Sequence, residues 1–141
     1  MKSNPFLKAE KAVLQKVYGN VCVLNLRIEK RSYDKESGKF SSEFVSLERD
    51  VYISSPHEIS LAAVDGKNYL RGDMSCNIAF LSLQEIFADI ESRDVDTPTF
   101  GLDIKNDRLI FKNTAYRITK VVPQKFYAAT PSIIRLYLRA M

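Results

Sequence analysis

The chain has 141 residues, 45% of them hydrophobic and 27% charged, with only five Gly and five Pro. That length fits one domain, and the composition excludes disordered, collagen-like and coiled-coil chains. No apolar run approaches the roughly 20 residues that span a bilayer, and a net charge of +4 from 21 Lys and Arg against 17 Asp and Glu falls well short of the clustered basicity of a dedicated nucleic-acid binder.

The opening Met1-Lys2-Ser3-Asn4-Pro5-Phe6 is not followed by an apolar signal region, because Lys8, Glu10 and Lys11 interrupt it; no export signal is expected. Asn4-Pro5 reads as a helix cap followed by proline at the first helical position. Phe6, Ala9, Val13 and Val17 then recur at spacings of three and four, which predicts an amphipathic helix from about Pro5 to about Tyr18 laid on a core or on a neighbouring subunit and ended by Gly19. From Val21 to Arg31 the β-branched content and the alternation of Leu24, Leu26 and Ile28 with polar residues predict a strand. A polar loop, Tyr33 to Lys39, turns the chain into a return strand from about Phe40 to Ile53 with Val45, Leu47, Val51 and Ile53 on one face.

Ser54-Ser55-Pro56 breaks that strand, and Asp65-Gly66 predicts a second hairpin. Met74, Cys76, Ile78 and Phe80 alternate with Ser75, Asn77 and Ala79 as in a half-buried strand. Ser82 opens a helix with Leu83, Ile86, Phe87 and Ile90 on its apolar side, and Thr97-Pro98 closes the connection. Three further strands are predicted, Arg108 to Phe111, Ala115 to Val122 and Ile133 to Arg139, the last two separated by a loop bounded by Pro123 and Pro131. Short strands with two helices that cannot alternate with parallel strands predict a mainly β, β-rich α+β fold: a small antiparallel β-barrel or sandwich with an N-terminal helix, a long β-hairpin and one mid-chain helix, forming one domain over residues 1–141.

Catalytic chemistry finds little to work with. His57 is the sole histidine and stands without a nucleophile or a recognisable motif around it, so a surface loop residue is expected. Cys22 and Cys76 have no C-x-x-C partner and read as small buried hydrophobes in a reducing compartment rather than a disulfide or zinc site. Asp94, Asp96, Asp103 and Asp107 offer oxygen ligands but not the spacing of a calcium loop. Arg71-Gly72-Asp73 spells an adhesion tripeptide, yet a turning glycine between solvated charges accounts for it. Phe40, Phe44, Phe80, Phe87 and Phe111 fall on predicted core faces, leaving Tyr33, Phe126 and Tyr127 as exposed aromatics. No catalytic residue, cofactor or metal is expected.

Charge is segregated along the chain. Glu85, Asp89, Glu91, Asp94, Asp96, Asp103 and Asp107 face only Arg93 and Lys105 in the stretch from 85 to 107, whereas residues 112–141 carry Lys112, Arg117, Lys120, Lys125, Arg135 and Arg139 with no acid. Such polarity suits head-to-tail packing between copies, or simply two solvated faces of a monomer.

In succession, the helix ending at Gly19, the strand Val21-Cys22-Val23-Leu24, the loop Arg31-Ser32-Tyr33-Asp34-Lys35-Glu36-Ser37-Gly38-Lys39, Val64-Asp65-Gly66 and Leu70-Arg71-Gly72-Asp73 resemble a family of tailed-bacteriophage head–tail connector proteins, described as neck, head-completion or head–tail joining proteins. Thr97-Pro98-Thr99, Asp103, Leu109-Ile110-Phe111, Thr114-Ala115-Tyr116-Arg117-Ile118, Val121-Val122-Pro123 and Leu136-Tyr137-Leu138-Arg139 are similar to that family's ending. Asn113, where a glycine turn is usual, and a long helix from Ser82 to Arg93 depart from the pattern. The resemblance implies a non-enzymatic virion subunit at the head–tail junction, made in the host cytoplasm. It would form a homo-oligomeric ring, hexameric as first expectation and dodecameric as second, below the portal or adaptor protein. That ring extends or closes the channel through which DNA passes without sequence-specific binding, and it docks the tail proteins. Arg31, Tyr33, Asp34, Lys35, Lys39, Lys125, Phe126 and Tyr127 are then the candidate partner contacts, and Glu85, Asp89, Glu91, Asp94 and Asp96 the candidate channel-facing acids. The alternative expectation is a small β-barrel binding single-stranded nucleic acid through Tyr33, Lys35, Lys39, Lys125, Phe126 and Tyr127.

Overall fold

The computed structural model describes residues 5–54, 56–58 and 73–141, and of residues 17, 18, 57, 58 and 127 the backbone alone. Helix α1 (Pro5–Val13) continues into a single wide turn, Leu14–Tyr18, and ends at Gly19. Two 15-residue strands, β1 (Asn20–Asp34) and β2 (Lys39–Ile53), make the long hairpin, and β3 (His57–Glu58) is a brief edge strand. Then follow β4 (Met74–Ala79), helix α2 (Phe80–Phe87), β5 (Arg108–Phe111), β6 (Thr114–Tyr127) and β7 (Thr130–Ala140).

All seven strands belong to one antiparallel sheet in the order β2-β1-β5-β6-β7-β4-β3, and β2 also pairs with β4 through Ile53 and Ile78. The sheet therefore curls until strands near its two ends meet. Its concave side is the core, where alternation places Leu24, Leu26, Leu109, Ile118, Ile134, Leu136 and Leu138 at 0% exposure. The period of two is cleanest in β7, whose even residues from Ser132 to Leu138 are buried while the odd ones face outward. The mainly β class with an N-terminal helix, a long hairpin and a mid-chain helix is thus as expected.

Several details differ from expectation. The apolar stripe of α1 is not Phe6, Ala9 and Val13: Leu7 and Leu14 are buried, while Phe6 is 53% and Val13 45% exposed. Seven residues apart, Leu7 and Leu14 share a helix face, and so short a helix docks along that narrow edge alone. Strand β4 is buried on both faces, Ser75 and Ala79 as well as Cys76 and Ile78, because α1 and α2 pack against it. Helix α2 begins at Phe80 and ends at Phe87, so it is shorter than the segment from Ser82 to Arg93; Ile90, still buried, lies in the turn that follows. The expected loop between Pro123 and Ser132 is instead the end of the β6–β7 hairpin, with Pro123 opposite Ile134 and Phe126 opposite Pro131. Breaks in register between Pro123 and Lys125 and between Lys125 and Phe126 accommodate the missing N–H donor. The Asp65-Gly66 hairpin and the Asn4 cap lie outside the described residues.

Candidate functional site

The first half of β1 and the last third of β2 are anchored by core side chains, but every residue from Lys30 to Phe44 is exposed. From the last anchored pair, Ile28 opposite Val45, to the tip pair, Asp34 opposite Lys39, the rise of a strand gives an arm about 20 Å long. At the tip the Asp34 carboxylate accepts the Glu36 N–H at 3.0 Å and the Ser37 hydroxyl at 3.0 Å, and its carbonyl accepts the Gly38 N–H at 2.8 Å. The Glu36 N–H, more than any other group, holds the Asp34 carboxyl below the usual carboxylate range. Arg31, Tyr33, Asp34, Lys35 and Lys39 all stand on this arm, and all are exposed.

Two aromatics on the arm differ from expectation. Phe40 and Phe44 are not core residues: they are 79% and 55% exposed, beside Tyr33 at 53%. Their even positions alternate with the inward Val45, Leu47, Val51 and Ile53, so the parity of the strand turns both rings to the outer side of the hairpin, away from the core. Tyr33 and Phe40 are cross-strand partners with ring centroids 4.8 Å apart, and the register places Phe44 on the same face. By contrast Phe80 and Phe87 are buried as expected, and Phe111 packs on the core's edge.

The arm is held at its base. Arg27 lays its guanidinium 3.9 Å from the centre of the Phe44 ring and donates from Nη1 to Asn106 Oδ1 at 3.0 Å. Behind it, Arg93 forks onto Asp107, Nη1 to Oδ2 at 2.5 Å and Nη2 to Oδ1 at 2.9 Å, and also donates to the carbonyls of Arg27 at 2.7 Å and Gly101 at 2.9 Å. Asp107 is fully buried. The ion pair closes residues 88–107 on themselves, and hydrogen bonds to the Arg27 backbone, its carbonyl accepting from Arg93 and its N–H donating to Asp107 Oδ1 at 3.1 Å, fasten that segment to β1; this is what Asp107 does in place of ligating a cation. Gly101 permits the approach: its φ is +86°, and a Cβ there would lie 2.8 Å from the Phe87 ring.

The second group of expected contacts stands on the other long hairpin, β6–β7. Strands β1 and β6 are both antiparallel to β5, so they run the same way and the β1–β2 and β6–β7 tips leave the sheet at one end. There Phe126 is 54% exposed, and Lys125 pairs with Glu10 of α1 at 2.5 Å; Tyr127 ends β6. Among the acids, Glu85 pairs with Lys11, whereas Asp89, Glu91, Asp94 and Asp96 are exposed, and Asp94 Oδ1 accepts the Asp96 N–H at 2.9 Å.

Nothing assembles a reactive centre among the described residues. His57 lies in β3 opposite Ser75, a strand rather than a loop. Cys22 and Cys76 are buried free thiols, both pushed up by desolvation, Cys76 to about 12. Asp73 is not solvated: 2% exposed, it takes a two-pronged contact from Arg139, Nε to Oδ1 at 3.0 Å and Nη2 to Oδ2 at 2.9 Å. A carboxylate so engaged does not present an adhesion tripeptide. A cleft of about 530 Å³ between α1, β2 and α2 is lined by Lys11, Arg49, Asp50, Tyr52 and Glu85, with no nucleophile beside a base. No helix is long and apolar enough to cross a membrane among the described residues. No family model matches the chain, and none of the curated proteins matches it.

Proposed function

We propose that the chain is a structural subunit of a tailed-phage neck, one copy in a homo-oligomeric ring that lies below the portal or adaptor, extends or closes the DNA channel and offers the tail its docking surface. The observation that carries this reading is the arm: a two-stranded projection with both faces in solvent and Tyr33, Phe40 and Phe44 exposed on one of them. A two-stranded ribbon gains little stability for its own chain, and large exposed aromatics on a fixed support are the usual anchors of protein interfaces. Phe126 at the same end of the sheet and the exposed Phe6 and Val13 of α1 supply further surface for neighbours in a ring.

The test is immunogold labelling of phage particles that carry the chain, together with the mass of the assembled protein. Label at the head–tail junction and a six- or twelve-copy ring are expected. Particles without label there, together with a monomer that binds single-stranded DNA in a steeply salt-dependent way, would replace the neck with a nucleic-acid-binding role.

A further inference from the structure

Strand register lines up three arginines across the outer face of the sheet. Arg108 of β5 is directly opposite Arg117 of β6, and Arg117 is directly opposite Arg139 of β7. Adjacent strands are about 4.8 Å apart, and like charges directly opposite one another destabilise a sheet. The two outer members are compensated within the chain. Arg139 is gripped by the buried Asp73 carboxylate, and Arg108 donates from Nη1 to the carbonyls of Lys105 and Asp107, both at 2.9 Å. Arg117, in the middle, is exposed, and among the described residues it has no hydrogen-bond or ion-pair partner. Lys120, the next outward residue of β6, has its ammonium 5.9 Å from the centre of the Tyr137 ring and no hydrogen-bond or ion-pair partner among the described residues. Of the three, Arg139 alone meets a carboxylate among the described residues, and Asp73 on it shows the geometry in which the same face accepts one.

We propose that this face, centred on Arg117 and Lys120, is the heterologous half of a subunit contact and takes carboxylates from the acidic segment of a second copy of this chain. Charge complementarity selects that occupant. Asp89, Glu91 and Asp96 are exposed, and none of them has an ion-pair partner among the described residues, so each copy carries one surface of each sign. A pairing in which unlike surfaces meet generates a ring or an open filament, not a two-fold dimer. The choice of a second copy as occupant rests on the ring reading above; the arm and this face would serve the same assembly from different elements.

Charge reversal with rescue tests it. Arg117→Glu with Lys120→Glu makes one variant; Asp89→Lys, Glu91→Lys and Asp96→Lys make the other; both are checked for native circular dichroism. By sedimentation at about 50 mM and about 200 mM salt, the wild-type chain is expected to associate, more strongly at the lower salt. Each variant alone is expected to bind itself at least about tenfold more weakly, and an equimolar mixture to recover association, because each reversed face then meets a reversed segment. A wild-type monomer at every concentration, a reversed face that assembles unchanged, or a mixture that fails to recover would each overturn the proposal. So would an oligothymidylate that binds the wild type and is lost with the Arg117 variant, which assigns the face to nucleic acid. The two readings fail separately: a variant that assembles normally in particles still labelled at the junction removes this interface and keeps the neck, whereas rescue by mixing without junction label keeps the interface and removes the neck.

Discussion

Asp107 accepts four hydrogen bonds, two from the Arg93 guanidinium and one each from the N–H groups of Arg27 at 3.1 Å and Asp103 at 2.7 Å. Its burial is tolerable only because every lone pair is used. Asp107→Asn leaves a mostly buried Arg93 without its counter-charge, and the expected loss is about 3–5 kcal/mol of unfolding free energy, read as a lower urea midpoint. Gly101→Ala is expected to destabilise by more than about 1 kcal/mol, because it combines a strained φ with a collision on Phe87. The thiols set a pH limit. For Cys76 desolvation raises the folded pKa from the ordinary 9.0 to about 12, so the folded state binds a proton that the unfolded state releases. Stability from this group is full below pH 9.0 and is lost as pH climbs toward 12. Alkaline melting curves should fall across that window, and a Cys76→Ala variant, which has no thiol to titrate, should fall less steeply.

On the scale of elements, arm and body separate cleanly. Replacing residues 31–42 by Asn-Gly joins Lys30 to Glu43, which are already paired, through a tight turn. Because both faces of the removed ribbon are solvated, the melting temperature is expected to change by only a few degrees, while assembly into rings is lost. A shortened arm that melts far lower would mean that it packs on the body. The β5–β6 hairpin turns on Lys112 and Asn113 at φ +49° and +64°, a two-residue turn of the kind in which Asn and Gly are the comfortable residues. Asn113 thus fills the position where a glycine was expected without a change of turn, and Lys112→Asn is expected to stabilise the protein by up to about 1 kcal/mol.

For the whole molecule, charge is the organising quantity. A net charge of +4 conceals an acidic segment following α2 and a basic outer face on β5, β6 and β7. If the exposed acids face the channel, they keep phosphates from the wall. Neutralising Asp89, Glu91, Asp94 and Asp96 together, all exposed, separates this place from the subunit contact to which Asp89, Glu91 and Asp96 are assigned above: rings that still form and release DNA more slowly from purified particles put the acids in the channel, whereas rings that no longer assemble put them in the contact. Glu85 is left out of the set because its carboxylate already pairs with Lys11, a contact that sequence distance hides.

Local chemistry in the chain determined the order and kind of the elements. Alternating Leu24, Leu26 and Ile28, the polar tip around Gly38 and the helical spacing of Leu83 and Phe87 each act over a few residues and need no partner to be read. Where those elements end against one another is a long-range matter. Phe40 and Phe44 stand on the outer parity of β2, whose inward residues are Val45, Leu47, Val51 and Ile53, and only the finite size of the core decides that from Lys30 to Phe44 the other face is uncovered as well. Prolines read as the borders of a loop sit in β6 and β7 because register slips absorb them. Two ion pairs, Arg93 with Asp107 and Arg139 with Asp73, cross 14 and 66 residues and turn acids that looked solvated into buried struts. The arginine row is the clearest case: Arg108, Arg117 and Arg139 are ordinary cations one at a time, and only strand register makes them neighbours.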